Sequence, residues 1–330
     1  MAIIIITYNY IITFRKVFIL NEYFDVMKRK INRVGQNTLT VSLPTKWAQK
    51  HGLKQGDEVE VEEEGSSIII GTAHKPQKLD ITIDLSDAGV MLNRTIAAIY
   101  KAGYDRANIS YKTPSELEVI QNTVYRACHV YEIMNIKKNV VEIKSISELN
   151  HLDFNSVFRK MAHAILTISQ ETYEAAKNQN YEELSVIILK DKVVDRHADF
   201  CRRVINKNHE LDYERIGPLY VIAEQTEIAA DIFKIISKEL IKNRIKLSPA
   251  MLHLFSEVHM IMEQLYDMIH DFNIDKIRKI GHQEVKLREE IDELCKTQKK
   301  DIKVLAYLIN MFETLFEMKS AVITLHIGIK

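Results

Sequence analysis

The sequence predicts an α+β protein of several domains: a small strand-rich unit, a small α/β unit and an all-helical C-terminal half. Three observations support this fold class. Short apolar and polar alternations mark strands before residue 75, strand and helix patterns alternate from 78 to 150, and long helical periodicity fills 151–330. A chain of 330 residues that is 46% hydrophobic can bury the cores that these domains require.

The bulk composition narrows the possible functions. Lys/Arg and Asp/Glu number 45 each, so the formal net charge is zero and any polyanion must bind at a local basic cluster. The 3 cysteines have no CxxC spacing, which disfavours a disulfide framework and a cysteine-rich zinc site. We therefore expect a reducing, cytoplasmic setting.

Residues 1–26 form an apolar N-terminal extension. Arg15 and Lys16 interrupt the apolar run before it reaches the ~20 residues of a membrane-spanning helix, and no charged segment precedes it as in a signal peptide. Two interpretations stay open: a start assigned too early, with Met27 as the true start, or a peripheral membrane contact. We expect no stable membrane span.

Residues 27–75 predict a small unit in the order strand, helix, strand, strand. A turn at Gly35 precedes a half-buried strand in which apolar residues alternate with Thr and Ser from Leu39 to Leu43. Pro44 is compatible with the first turn of a short helix. Because so small a unit buries little surface alone, the sequence favours dimerisation.

Glycines predict where the short helix ends and where the remaining turns of this unit lie. Gly52 ends the short helix, Gly56 and Asp57 make a turn into the strand EVEVEEE, and Gly65 with Ser66 reverses the chain into IIIG.

The charges of this unit are segregated along the chain. Seven Lys/Arg and no Asp/Glu lie between Lys28 and Gln55, whereas six of the eight residues from Asp57 to Glu64 are acidic. A surface that served only solubility would mix the two signs. The basic stretch is therefore the one strong candidate for binding a polyanion.

The run from Arg29 to Val61, with its turn glycine followed by LP, WA, GL and GDEVEV, resembles the AbrB/SpoVT family of DNA-binding domains. The resemblance implies a homodimer in which two copies interleave as a swapped-hairpin β-barrel. It also implies that basic residues of the first strand and its loop face double-stranded DNA, and by position the candidates are Lys28, Lys30, Arg33, Gln36, Asn37 and Lys46.

The residue types at the tip of the turn suit base recognition. Arg33, Gln36 and Asn37 can bond base edges, and Arg33 and Asn37 are the expected determinants of specificity. The alternative is that the stretch mediates dimerisation alone and its charge is incidental.

Residues 78–150 predict an α/β connector. Strands are expected in KLDITIDLS, RANISYK and KNVVEIKSI, with a helix from a Ser86 cap to Gly103 and a second helix in PSELEVIQNTVYRACHVY. The segment has no glycine-rich phosphate loop, nucleophile elbow or paired catalytic carboxylates. We therefore interpret it as a scaffold and expect no enzyme activity from the chain.

The helical half, 151–330, predicts two three-helix bundles, at about 154–240 and 248–328. A shift of 93 residues superimposes the apolar pattern of the second set on the first, which indicates a duplicated unit. The pairs that share this register are Phe158 with Met251, Met161 with Leu254, Ile165 with Val258, Ile168 with Ile261, Tyr173 with Tyr266, and Leu184 with Ile277.

Two acidic pairs in the first bundle are spaced four residues apart. Asp191 and Asp195 share one face of the second helix, and Glu227 and Asp231 share one face of the third. Antiparallel neighbours could bring the four carboxylates together as a metal site, where oxygen donors favour iron, manganese, magnesium or calcium. The alternative is a merely solvated acidic face.

The duplicated unit, with D-x-x-x-D in LKDKVVDRHADF and E-x-x-x-D in AEQTEIAADIF, resembles the phosphate-uptake-regulator family PhoU. That resemblance implies a metal cluster at the four residues named above. In the second repeat Arg288 stands where Asp195 does in the first, so the expected ligands there are weaker candidates: Glu284, Glu313 and Glu317.

The two resemblances together are similar to archaeal-type phosphate uptake regulators. They imply a cytoplasmic, DNA-binding negative regulator of phosphate uptake, with the helical half as the sensor. Two alternatives stay open. One is an adaptor that docks on a phosphate ABC transporter or a sensor kinase without binding DNA, and the other is a metal-binding helical protein.

Overall fold

A computed structural model describes residues 29–35, 38–50, 52–64, 67–71, 78–146, 151–207, 213–298 and 300–327. The chain divides into two compact units, residues 1–77 and 78–330. The expectations for residues 1–26, Lys28, Gln36, Asn37 and the turn at 65–66 lie outside the described residues.

The described residues of the first unit form two short hairpins and one helix. Its elements are β1 (Asn32–Val34), β2 (Thr38–Thr40), α1 (Thr45–Lys50), β3 (Glu60–Glu64) and β4 (Ser67–Gly71). Strand β1 pairs antiparallel with β2, and β3 pairs antiparallel with β4, in two separate two-stranded sheets.

The sequence predicted one strand before α1, and the structure has a hairpin there. Val34 pairs with Thr38, so the chain reverses just after Gly35, as expected for the turn. The end of α1 also agrees with the prediction. Gly52 has a φ of +67°, and the amide of Leu53 donates to the Ala48 carbonyl at 2.9 Å, which is a glycine C-cap.

The expectation of a half-buried strand around Leu39 was wrong for the single chain. All residues of β1 and β2 are exposed, and the described strands of this unit form no closed barrel. The physical reason is the lack of a layer beneath them. Five apolar side chains remain 57% to 68% exposed, namely Ile31, Val34, Leu39, Val61 and Ile68.

The second unit begins with an α/β part. Its elements are β5 (Asp80–Asp84), a 3-10 turn (Gly89–Met91), α2 (Leu92–Lys101), β6 (Arg106–Ser110), α3 (Pro114–Ala127), β7 (Tyr131–Lys137) and β8 (Val140–Ser145). The sheet order is β5-β6-β8-β7, with β5 and β6 parallel and the other pairs antiparallel. Buried side chains of α2 and α3 form the core with those of β6 and β8.

Two expectations for this part were wrong. Ser86 does not cap α2, which begins after the 3-10 turn; its amide instead donates to the Asp84 carboxylate at 3.0 Å. The second helix was expected to run through Tyr131, but it ends at Ala127 and β7 follows. Pairing with β8 overrides the helical pattern there, and Asn139, at a φ of +62°, makes the tight turn between the two strands.

Six long helices complete the second unit. They are α4 (His151–Asn178), α5 (Tyr181–Lys207), α6 (Tyr213–Asn243), α7 (Pro249–His270), α8 (Ile274–Thr297) and α9 (Ile302–His326). Helices α4, α5 and α6 pack on one another, and the second set joins them through α6 with α9 and α4 with α7. In the described part of the chain, none of the helices has the length and apolarity needed to cross a membrane.

The burial of α4 can be compared with that of α7 in the 93-residue register that the sequence predicts. The first four pairs in the 93-residue register, from Phe158 with Met251 to Ile168 with Ile261, are buried in the core on both sides. The equivalent residues of α4 and α7 are therefore buried in the same register, whereas the duplication of the whole three-helix unit stays a prediction.

Candidate nucleic-acid interface and carboxylate cluster

The described basic candidates of the first unit are all exposed. Lys30 lies just before β1, Arg33 lies within β1, and Lys46 lies in the first turn of α1. The acidic run Glu60–Glu64 forms β3, which belongs to a different sheet from β1. The charge segregation of the sequence is thus carried by separate hairpins.

In the helical half, three of the four predicted carboxylates come together. Asp191 and Asp195 of α5 and Asp231 of α6 each offer an oxygen within 4.8 Å of the others. Asp191 is buried, Asp195 is half-buried, and the Asp231 side chain is 50% exposed. We call these three residues the carboxylate trio.

Lys234, one turn beyond Asp231 on α6, supplies a cation to this group. Its ammonium donates to the carboxylates of Asp191 and Asp231. Burial lowers the pKa of Lys234, but these two hydrogen bonds outweigh burial and raise it above its usual value. The lysine therefore stays charged and partly neutralises the trio.

Asp195 feels the charge of Lys234 but accepts no hydrogen bond from it. One of its carboxylate oxygens is buried with no hydrogen-bond partner. Burial, followed by the charges of Asp191 and Asp231, raises the pKa of Asp195 from 3.8 to about 7. A pKa near 7 means that a proton or a nearby cation is favourable at this carboxyl around neutral pH. An all-oxygen donor set with a deficit of positive charge fits a hard cation such as Mg²⁺, Ca²⁺, Mn²⁺ or ferrous iron.

Glu227, the fourth predicted ligand, lies outside the trio. Its carboxylate accepts from the guanidinium of Arg202, which is 1% exposed and also donates to Glu224 and, at 2.6 Å, to Asp199. Because α5 and α6 run antiparallel, a residue one turn earlier on α6 faces a residue later on α5. Glu227 thus meets Arg202, whereas Asp231 meets Asp191.

The acidic candidates of the second repeat pair with cations. Glu284 accepts from Lys319 at 2.5 Å and from Arg288 at 3.1 Å, and Glu313 accepts from Arg288 at 2.6 Å. Glu317 is exposed. Within the described part of the chain these three glutamates do not form a close group of oxygen donors. Arg288 holds two of them, at the position where the sequence departs from the motif.

Sequence reasoning missed Lys234 and Arg202. A weak signal was available, because each lies three residues after an aspartate on the same helix face, Asp231 and Asp199 respectively. Spacing along one helix could not show that each cation would also reach across to the neighbouring helix.

Comparison with known protein families finds one match. Residues 33–81 match the family model described as "Antidote-toxin recognition MazE, bacterial antitoxin". This segment is a MazE/AbrB-type domain, which confirms the predicted AbrB-like resemblance for the first unit. No curated protein and no solved structure matches the chain.

Proposed function

We propose that this protein is a DNA-binding transcriptional regulator, with no catalytic activity, that controls phosphate uptake as a negative regulator. The observation that carries the DNA-binding role is the MazE/AbrB-type domain at 33–81. Domains of this type bind DNA and oligomerise. The exposed Lys30, Arg33 and Lys46 supply the positive charge that DNA binding requires.

The exposed apolar side chains of the first unit support a homodimer. Five such side chains, from Ile31 to Ile68, are more than half exposed in a unit of two small hairpins. A second copy that interleaves with the first would cover them and supply the missing core. Dimerisation would also double the basic strands on the molecule.

The residues of the basic stretch divide into two roles in this proposal. Lys30 and Lys46 bind phosphates, which gives affinity and releases counterions without reading sequence. Arg33 lies on the exposed strand β1 and is the residue type that most often bonds guanine in the major groove. Lys28, Gln36 and Asn37 complete the predicted set through the resemblance.

Fluorescence anisotropy tests the DNA-binding role. Labelled DNA from upstream of the protein's own gene and of phosphate-transport genes is compared with scrambled DNA at several salt concentrations. We expect a sequence preference, a steep loss of affinity with salt, and a loss of about tenfold or more for Arg33→Ala. Arg126→Ala, an exposed arginine of α3, is the matched control and should bind as the unmodified protein does.

Absence of binding by folded dimer at low salt would contradict the proposal. It would favour the adaptor alternative, in which the helical half docks on a phosphate transporter or a sensor kinase. DNA binding that does not depend on salt would likewise favour the adaptor alternative.

We further propose that the helical half acts as the sensor. Its support is the duplicated three-helix unit and the carboxylate trio, which suits a hard cation. Asp191, Asp195 and Asp231 would hold the cation, and the cation would supply positive charge to which an anion such as phosphate can bind. This set of three ligands differs from the four predicted ligands in that it leaves out Glu227.

Metal content after purification tests these ligands. We expect Asp191→Asn to lose bound metal and Glu227→Gln to retain it, because Glu227 is held by Arg202. Loss of metal in both variants would instead support all four predicted ligands. Unchanged metal content in Asp191→Asn would remove the trio as the site.

A further inference from the structure

One face of α5 is exposed and apolar along its middle. Val186, Leu189 and Val193 are 48%, 64% and 47% exposed, whereas Leu184, Ile187 and Val194 on the opposite side are buried. Spacings of three and four residues place the exposed residues on a single stripe. Helices α4 and α6 cover the other sides of α5.

Charged residues at both ends of this stripe lie on the same face. Glu182, Leu189 and Arg196 are spaced seven residues apart, so they follow one line along the helix, and Lys192 lies beside that line. Within the described residues, Glu182, Lys192 and Arg196 have no ion-pair partner; Glu182 and Lys192 are exposed, and Arg196 is half-buried with its Nε buried and unpaired. The α5 face, defined as Glu182, Val186, Leu189, Lys192, Val193 and Arg196, is thus acidic at its N-terminal end and basic at its C-terminal end.

Such a face is complementary to itself in the antiparallel direction. A two-fold axis through Leu189 would place Glu182 of one copy against Arg196 of the partner subunit, and the reverse pair at the other end. The two ion pairs would be separated by about 21 Å, because each residue advances a helix by 1.5 Å. Leu189 would meet its own counterpart at the axis, and Val186 and Val193 would lie on either side of this contact.

We propose that two copies of this chain associate antiparallel through the α5 face. The contact is isologous, since the same residues serve both copies. Charge complementarity selects a second copy over a partner of uniform charge: an acidic partner would be repelled by Glu182, and a basic one by Lys192 and Arg196. The contact is separate from any dimerisation of the first unit.

A single helix pair buries a small area, so the α5 contact should be weak alone. Dimerisation of the first unit would raise its effective concentration and make the contact persist. This second contact between copies does not depend on DNA binding.

Cysteine cross-linking tests the geometry directly. In a Cys295→Ser background, which removes the exposed native thiol, Leu189→Cys places two thiols at the two-fold axis. We expect an intermolecular disulfide under mild oxidation that forms at least about tenfold faster than in the control. The control is Val285→Cys on α8, which is similarly exposed at 62%. Equal rates for the two variants would overturn the proposal.

Charge exchange tests the same contact without a new cysteine. Glu182→Arg and Arg196→Glu should each reduce the Leu189→Cys cross-link, because each places like charges together. The double exchange restores opposite charges and should restore cross-linking. Failure of the double variant to recover, with circular dichroism showing both single variants folded, would contradict the antiparallel pairing.

Discussion

Arg202 and Lys234 divide the acidic side chains between α5 and α6 into two groups. Arg202 holds Asp199, Glu224 and Glu227, while Lys234 holds Asp191 and Asp231. Both cations lie in partly dehydrated surroundings, where an unpaired charge is costly. Only the Lys234 group retains a carboxyl, Asp195, that lacks a cation of its own. The trio is therefore the place where a further positive charge would be favourable.

At residue scale, His259 should make the protein sensitive to acid. It is 9% exposed on α7, and its Nδ1 lies 2.9 Å from the hydroxyl of Ser169 on α4. Burial lowers the pKa of His259 below its usual 6.5, and Glu263 opposes this shift. Below pH 6.5 the unfolded chain gains a proton at this site before the folded protein does, so stability falls as pH falls.

The substitution His259→Gln should reduce this loss of stability at low pH. Between pH 7.5 and 5.5 we expect the Tm of the variant to fall less than that of the unmodified protein, as measured by scanning fluorimetry. His270→Gln removes an exposed histidine of the same helix and should leave the pH dependence unchanged. Identical pH profiles for all three proteins would show that His259 titrates normally in the folded state.

Arg203 should be a large contributor to stability. It is fully buried, its guanidinium lies 4.9 Å from the ring centres of both Tyr100 and Tyr131, and it donates to the Tyr100 carbonyl at 2.7 Å. Arg203→Met keeps an unbranched side chain but removes the hydrogen bond to the Tyr100 carbonyl, both ring contacts and the ion pair with Asp105. We expect a loss of roughly 2–4 kcal/mol in the free energy of unfolding.

Thermal and urea denaturation would measure the Arg203→Met effect, with Arg126→Met as the exposed control on α3. The control should change stability by less than about 0.5 kcal/mol. If both variants unfold alike, the buried guanidinium contributes no net stability.

At the scale of elements, α5 connects most of the features described above. Its first half carries the α5 face and its middle carries Asp191 and Asp195. Its last turns hold the α/β part, where Arg203 lies between two tyrosines, Asn206 donates to the Lys101 carbonyl at 2.8 Å, and Lys207 pairs with Asp105. Any change at the trio that moved α5 would therefore be transmitted to the sheet.

The N-terminus of α3 offers a test at this scale. The Thr113 hydroxyl accepts from the Glu116 amide at 3.3 Å, and the Glu116 carboxylate accepts from the Thr113 amide at 3.1 Å, which is a capping box. Thr113→Ala should cost about 1 kcal/mol of unfolding free energy. Thr123→Ala, in the interior of the same helix, should cost much less, because its hydroxyl only returns to the Val119 carbonyl. Equal losses would remove the capping role.

How far the sequence determines these features depends on the range of the interactions. Local signals correctly gave the turn at Gly35, the C-cap at Gly52 and the helical character of the C-terminal half, since each depends on nearby residues. Strand β7 was missed because its conformation is set by pairing with β8. The spacing along each helix was enough to predict Asp191 and Asp231 as metal ligands. The separation of Glu227 from them depends on the register between α5 and α6, which no spacing along one helix reveals.

At the scale of the whole molecule, zero net charge means that the chain has no overall attraction for DNA. Attraction depends on the segregation of charge in the first unit, with the basic stretch ahead of the acidic strand β3. DNA binding should therefore be local and strongly dependent on salt, and it should depend little on charges of the helical half.

The proposed sensor role requires that ligand binding to the helical half be coupled to DNA binding by the first unit. If a cation at the trio, or phosphate bound to it, changes the affinity for DNA, then DNA must change the affinity for that ligand by the same factor.

We expect Mn²⁺ with inorganic phosphate to shift the DNA Kd by roughly fivefold or more relative to EDTA, as measured by anisotropy. Asp191→Asn should abolish the shift while preserving DNA binding in EDTA, because the substituted residue lies in the helical half. A DNA Kd that is the same in EDTA, in Mn²⁺, in phosphate and in both together would show that the helical half does not control DNA binding through these ligands.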